Sequence, residues 1–475
     1  MGLSSIVSKA SAVVAGSASS TQSAPPGSPS SASAGSASPK AEDKAPEGAS
    51  ADDTEVLDDE PKNMLLALVG QLRVGMDLSK ITLPVFVLEP RSMLERVTDF
   101  HSHPEMLHNA DSLSAEERFI RVLKYYLAGW HIKPKGVKKP YNPVLGEFFR
   151  CRYDYPDGTA AYYVAEQVSH HPPISAWYFS SPENGLDLCG ELRPKSKFLG
   201  NSAATIMEGE SHVRFLDGEA ANDGEYDITM PNMCVSRSSP PPRLVFRAQV
   251  WSVVGERLPV DRMTETDFWR LHANRYARGI LFGKMVLELG DSSIVRNNQT
   301  GMTCEVEFKT KGFFSGSYNS IAGKIKGPKG DIGDISGHWS DVMEISRKGS
   351  KGKEVLFNAH DAHVTQKSVA PEDQQLPNES RRLWSKVTSA IKAKDLDAAT
   401  EAKTAIEDAQ REAAREREEK GETFQPKFFK LSDKGEWRPN FSQPSCRRQT
   451  RSTVRQFVYG SDPEPASAVA APAPA

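Results

Sequence analysis

The sequence predicts an α+β fold, mainly β: a large antiparallel sheet that curls or closes, a helical element before it, and helices packed at one end. Three observations carry this. From about 144 to 360, short β-rich runs are separated by turn signals such as Pro156-Asp157-Gly158, Glu183-Asn184-Gly185 and Gly290-Asp291-Ser292. No strand–helix alternation interrupts them, which argues against a doubly wound parallel sheet. Beyond 378 the apolar residues fall at helical spacing instead.

Taken in order, the first element is a stretch without structure. Residues 1–53 are mostly Ser, Ala, Gly and Pro, too few apolar groups to offset the entropy of ordering. They are expected to be disordered, and 446–475 mostly so, which leaves 54–445 as the folded domain. Residues 63–78, NMLLALVGQLRVGMDL, fit an amphipathic helix, either an ordinary core cover or a mobile lid that meets a membrane. Ser114 to Glu117 forms a capping box ahead of Phe119, Ile120, Leu123 and Leu127, so a helix runs over 115–128.

Strands are expected at 160–168, 174–180, 244–252, 280–289, 303–309, 321–326, 335–345 and 354–358. The stretch GPKGDIG at 327–333 reads as a loop. Residues 378–392 carry Leu383, Trp384, Val387 and Ile391 at helical spacing, and 395–419 is a long, Ala-rich, charged helix.

Composition narrows the function. With 59 basic and 62 acidic residues the net charge is −3, so a general nucleic-acid binder is disfavoured. Five cysteines (Cys151, Cys189, Cys234, Cys304 and Cys446) lack CxxC spacing, which points to a reducing compartment with neither disulfides nor structural zinc. No apolar run approaches the ~18 residues of a membrane span. No signal peptide is evident, and Ile6 stands where a myristoylation signal needs Ser or Thr. The expectation is a soluble cytoplasmic protein.

The residues that could carry chemistry centre on EQVSHHPP, 166–173. Neighbouring side chains on a strand face opposite ways, so His170 and His171 are poor joint metal ligands. His360-Asp361-Ala362-His363 has better spacing but no further partner. Neither a GxSxG elbow nor a phosphate loop is present, so no nucleophile and no enzyme is expected. Lys139 and Asn142 sit in Lys138-Lys139-Pro140-Tyr141-Asn142-Pro143, stiffened by two prolines. Lys403, Glu407 and Arg411 share one helix face, ordinarily a solvated ladder worth a few tenths of a kcal/mol per pair. Gathered at one rim, these groups would suit a ligand bearing several phosphate charges.

EQVSHHPP together with KPYNPVLGEFF (139–149) resembles the signature of the oxysterol-binding protein-related lipid-transfer proteins, over about 62–444. The resemblance implies a large, nearly closed antiparallel β-barrel with a lipid tunnel, an N-terminal lid at about 62–83 and C-terminal helices. It implies that Lys139, Asn142, His170, His171, Lys403, Glu407 and Arg411 bind the headgroup of phosphatidylinositol 4-phosphate, the histidines meeting the 4-phosphate. The stretches LPVFVLEPRSMLERVTDF (83–100) and KSKFLGNS (195–202) resemble the subgroup that carries phosphatidylserine. By that analogy Ser196 contacts the phosphoserine head and Leu83 lies against an acyl chain, although Val85 replaces the usual Thr.

The resemblance further implies a cofactor-free monomer that exchanges phosphatidylserine for phosphatidylinositol 4-phosphate, acting peripherally at endoplasmic reticulum–plasma membrane contacts. A sterol carrier of the same family and a lipid-dependent sensor are the competing readings. A two-chain lipid has roughly thirty methylenes, each costing ~0.8 kcal/mol in water, so such a carrier needs a cover. Before residue 62 there is no room for a pleckstrin homology domain, and Glu147-Phe148-Phe149 reads as part of the barrel, not a docking motif.

Overall fold

In the segment Met302–Lys309, Met302, Cys304, Val306 and Phe308 are buried, while Glu305, Glu307 and Lys309 are exposed. That period of two is the signature of a strand with one face on a core, and it recurs through the middle of the chain. The structure, a computed structural model, describes residues 76, 85–132, 138–198, 203–238, 284–311, 316–441 and 450–467. The expected disordered stretch 1–53, the segment 63–78 apart from Met76, Leu83 and the expected strand 244–252 lie outside the described residues.

The described chain opens with β1 (Leu88–Ser92), α1 (Met93–Arg96), α2 (Ala115–Ala128) and β2 (Lys139–Tyr141). Strands follow as β3 (Phe148–Asp154), β4 (Ala160–His170), β5 (Pro173–Ser181), β6 (Leu186–Phe198), β7 (Ala203–Glu208), β8 (Glu210–Phe215), β9 (Glu225–Thr229) and β10 (Asn232–Ser238). After 283 come β11 (Lys284–Asn297), β12 (Met302–Lys309), β13 (Ser320–Gly327), β14 (Gly330–His338), β15 (Val342–Arg347), β16 (Glu354–Asn358) and β17 (Lys367–Ser368). The end carries α3 (Ser380–Leu383), α4 (Ser385–Lys392), α5 (Leu396–Lys420), β18 (Phe429–Leu431), β19 (Trp437–Pro439) and α6 (Arg451–Tyr459).

Among the described residues, fifteen strands form one sheet, running from β16 through β10, β7 and β6 to β3 and β17, with β8 and β9 paired off this path. Thirteen strands lie along the path, so a flat sheet would set its edges about 58 Å apart at ~4.8 Å per step. Only residues 359–366 join β16 to β17, a reach of about 30 Å at most. The sheet must therefore curl. Within the curl, α2 buries Phe119, Leu123 and Leu127 in the same core as Tyr163, Val306 and Ile325. Ser114 caps α2 by accepting from the Glu117 N–H at 3.3 Å, but the Glu117 carboxylate goes to Arg347 at 2.5 Å rather than back to the cap.

The outer face of β4 and β5 is apolar too: Tyr162, Val164, Val168, Ala176 and Tyr178 are covered by Phe428, Phe429, Val454, Val458 and Tyr459. This corrects the expectation of a mostly disordered tail from 446, because 450–467 is described and its helix α6 is docked. Thr450 caps α6, and Arg150 donates to the Val458 carbonyl and to Asp462.

Other differences have local causes. The stretch 335–345 is two strands, because Gly337 takes φ +124° and Trp339–Asp341 makes the turn between β14 and β15. GPKGDIG is a hairpin, not a loop: Pro328 and Lys329 turn, and Gly330 onward belongs to β14. The helix expected over 378–392 is interrupted at Trp384.

Candidate functional site

The octapeptide EQVSHHPP spans the tip of the β4–β5 hairpin. His170 ends β4 and pairs with Pro173, leaving His171 and Pro172 as a two-residue turn. Its first half is structural. Glu166 is buried and accepts the backbone N–H groups of Lys427 and Phe428, each at 2.8 Å. Burial pushes the Glu166 carboxyl up and these hydrogen bonds hold it down. Gln167 accepts from Ser175 at 2.5 Å and donates to the Ser169 carbonyl at 2.8 Å. Ser169 reaches across the turn to the Pro172 carbonyl at 2.7 Å.

The second half faces outward. His171 is in the turn rather than on the strand, so strand alternation does not keep the two rings apart. Their centroids are 4.5 Å apart at 78°, and His170 Nδ1 lies 3.2 Å from His171 Nε2. On its other side, His170 Nε2 lies 3.4 Å from Asn142 Nδ2. Burial, then His171, pushes the His170 imidazole down to about 4, against the opposite pull of Glu407. The uncharged ring is therefore the resident form at neutral pH.

That electrostatic reach of Glu407 onto His170 ties the terminal helix to the hairpin. One stripe of α5, Ala399, Ala402 and Ile406, packs with Leu88, Tyr141 and Trp384. Tyr141 stacks on Trp384 at 4.7 Å, and Asn142 follows it directly. The adjacent stripe is Lys403, Glu407 and Arg411, as the spacing predicts. Lys403 Nζ is 2.5 Å from Glu407 Oε1, and Arg411 is 3.6 Å from Glu407 Oε2 and pairs with Asp408. Lys139, exposed, opens β2.

The structure thus brings Asn142, His170 and His171 into one chain of contacts, with Glu407 and its ladder beside them. Ser196 is not part of it: its hydroxyl bonds Thr205 of β7 at 2.8 Å. Two residues on, Phe198 N–H donates to the Met76 carbonyl at 3.0 Å. Leu83 lies outside the described residues.

Two supports were missed in the sequence. One is Glu166, whose strand position gives no sign of the remote backbone it holds. The other is Glu147, fully buried within KPYNPVLGE, which accepts from Ser92, Ser380, Trp384 and the Val144 N–H. Phe148 and Phe149 beside it are buried, as expected of barrel residues. Among the described residues, Glu210, His212 and Asp227 are grouped closely enough for a metal, but the Arg296 guanidinium already sits against Glu210 at 3.1 Å and Asp227 at 3.2 Å. His360 pairs with Asp341 at 2.7 Å.

Comparisons with known proteins identify the family and the fold. The oxysterol-binding protein family model matches residues 67–238 and 255–449. Oxysterol-binding protein homolog 7 of Saccharomyces cerevisiae is 42% identical over 381 residues, covering 79% of this chain and 77% of that protein. A homolog in Schizosaccharomyces pombe is 42% identical over 411 residues, 83% of this chain and 75% of its own. Human oxysterol-binding protein-related protein 8 is 38% identical over 409 residues, 40% of its length. The fold is like the Osh1 ORD domain solved with cholesterol, with TM-score 0.60 and 22% identity over 85% of this chain and 90% of that one. It is also like the Osh3 ORD solved with PI(4)P, with TM-score 0.57 and 20% identity over 82% and 92%. A family match over most of the chain, on the fold and around the hairpin described above, makes this protein a member of the oxysterol-binding protein family.

Proposed function

We propose that this protein is a non-vesicular lipid carrier that exchanges phosphatidylserine for phosphatidylinositol 4-phosphate between the endoplasmic reticulum and the plasma membrane. The observation that carries the headgroup half is the meeting of Asn142, His170 and His171 beside the Lys403–Glu407–Arg411 ladder. Lys403 and Arg411 supply charge-assisted donors for a phosphate, and Asn142 and Glu407 can orient hydroxyls. Lys139 completes the set by its place at the start of β2. Support for phosphatidylserine comes from the 83–100 and 195–202 stretches, with Ser196 at the end of β6 that bonds Met76. The protein works as a monomer in the cytoplasm, touching each membrane transiently.

The test is native mass spectrometry of lipids co-purified from eukaryotic cells, wild type against His170→Ala/His171→Ala. Phosphatidylserine in both and phosphatidylinositol 4-phosphate only in the wild type is the expected result. Sterol in place of phosphatidylserine would change the second cargo, and no bound lipid would overturn the carrier.

A further inference from the structure

A chain of hydrogen bonds acquires a direction once one end can only donate. The Asn142 amide nitrogen has no lone pair to offer, so His170 Nε2, 3.4 Å away, accepts from it. His170 then carries its proton on Nδ1 and donates it to His171 Nε2 at 3.2 Å. His171 in turn keeps its own proton on Nδ1. Of the four ring nitrogens, that leaves a single N–H, on His171, for a ligand at the hairpin tip. A phosphate monoester dianion brings three acceptor oxygens and no proton. One imidazole donor serves it poorly.

We propose that the Asn142–His170–His171 chain takes up a proton from solvent at His170 Nε2 whenever a phosphate monoester headgroup docks, and returns it on release. This rests on the headgroup reading above. The step balances simply: one N–H bond forms at Nε2, the proton comes from bulk water or buffer, and the imidazolium charge offsets one charge of the dianion. Asn142 loses its acceptor in the process, which frees its amide for the ligand. Asn142 is a positioning residue here, since it sets the tautomer that must change.

The surrounding charges favour this exchange. Burial keeps His170 neutral until a partner arrives, with its imidazole near 4. From α5, Glu407 faces it, but that carboxylate is held by Lys403 at 2.5 Å and by Arg411 at 3.6 Å. Asp408 is occupied by Arg411, Lys139 is exposed at the start of β2, and His171 stands in the turn. A dianion brings two charges to hydrogen-bond distance where Glu407 brings one from further off, so even with Lys403 and Arg411 donating to it, its field stabilises the imidazolium.

The experiment is calorimetric titration of the full chain with dioctanoyl phosphatidylinositol 4-phosphate at pH 7.5, in two buffers of different ionisation enthalpy. At that pH the phosphate is almost wholly dianionic, so protons counted belong to the protein. Wild type is expected to take up a fraction of a proton per headgroup at that pH, and its affinity to rise as the pH falls from 8.5 to 7. His170→Gln, which keeps a neutral donor, should bind more weakly with uptake near zero. Asn142→Leu, which lets Nε2 carry its proton beforehand, should also lose uptake while retaining both histidines. Tight wild-type binding with equal heats in both buffers would overturn the proposal, as would uptake in His170→Gln equal to that of the wild type. Absence of wild-type binding would instead sink the headgroup reading itself.

Discussion

Trp384 Nε1 donates to Glu147 Oε2 at 2.9 Å, deep in the protein where the carboxylate has no exposure. Ser92 and Ser380 donate to Oε1 at 2.5 and 2.8 Å, and the Val144 N–H to Oε2 at 3.1 Å. One carboxylate thus joins β1, the segment leading from Asn142 to β3, α3, and the break at Trp384 between α3 and α4. Glu147→Gln would remove the charge from four hydrogen bonds and, with its NH2 on the Oε1 side, force the Ser92 and Ser380 hydroxyls to rotate and accept. The expected cost is about 2 kcal/mol of stability, measured by chemical denaturation.

Arg150 and Glu379 form a buried pair, 2.7 Å apart, with side chains only 2% and 1% exposed. Removing Glu379 leaves the buried Arg150 guanidinium with only Asp462 and the Val458 carbonyl to meet its charge. Glu379→Ala should therefore destabilise by about 3 kcal/mol or more, a loss read as a lower denaturation midpoint. An Arg150→Met/Glu379→Leu double variant should recover much of it, since the two changes are coupled.

Lys403 is the least exposed cation of the ladder, its side chain 12% accessible. Lys403→Ala should weaken binding to vesicles containing phosphatidylinositol 4-phosphate by about tenfold or more, the worth of one charge-assisted hydrogen bond. Binding to vesicles whose only anionic lipid is phosphatidylserine should change little. Vesicle flotation across a salt series would check both.

Acid should unfold the protein in a histidine-dependent way. Burial pushes His101 down to about 3 and His131 down to about 4, His131 with help from His103. Both take up protons far more readily when unfolded. Stability is full above the ordinary histidine value near 6.5 and is lost as the pH falls from there toward 3. For His101 alone the loss between pH 7 and 5 is about 2 kcal/mol. Denaturation curves of His101→Gln over that range should show a shallower slope than wild type, whatever the absolute stability.

Much of the fold could be read because local pattern and tertiary burial agree. In β12 every second residue is apolar, and in α2 the cap and the apolar stripe coincide. β6 was not legible, because Arg193, Pro194, Lys195 and Ser196 resemble a loop and acquire strand form only by pairing with β7. α6 escaped notice because its apolar residues Val454, Phe457 and Val458 stand among charges, and its stability comes from docking on Tyr162 and Tyr178. The residue types of the candidate site, the paired histidines and the Lys403–Glu407–Arg411 stripe, were legible. What the spacing could not give was the turn that brings His171 against His170, or the partners of Glu147 and Glu166.

Asn142, His170 and Lys403 come from stretches far apart in the chain, and α5 arrives only after every strand of the large sheet has been made. A nascent chain on the ribosome therefore has both histidines long before it has the cations of the terminal helix. On the proposed headgroup reading, capture becomes possible only once α5 has been made. On that reading, a truncated product that stops short of residue 403 would lack the cations that hold the phosphate, and would leave the phosphoinositide in the membranes around it.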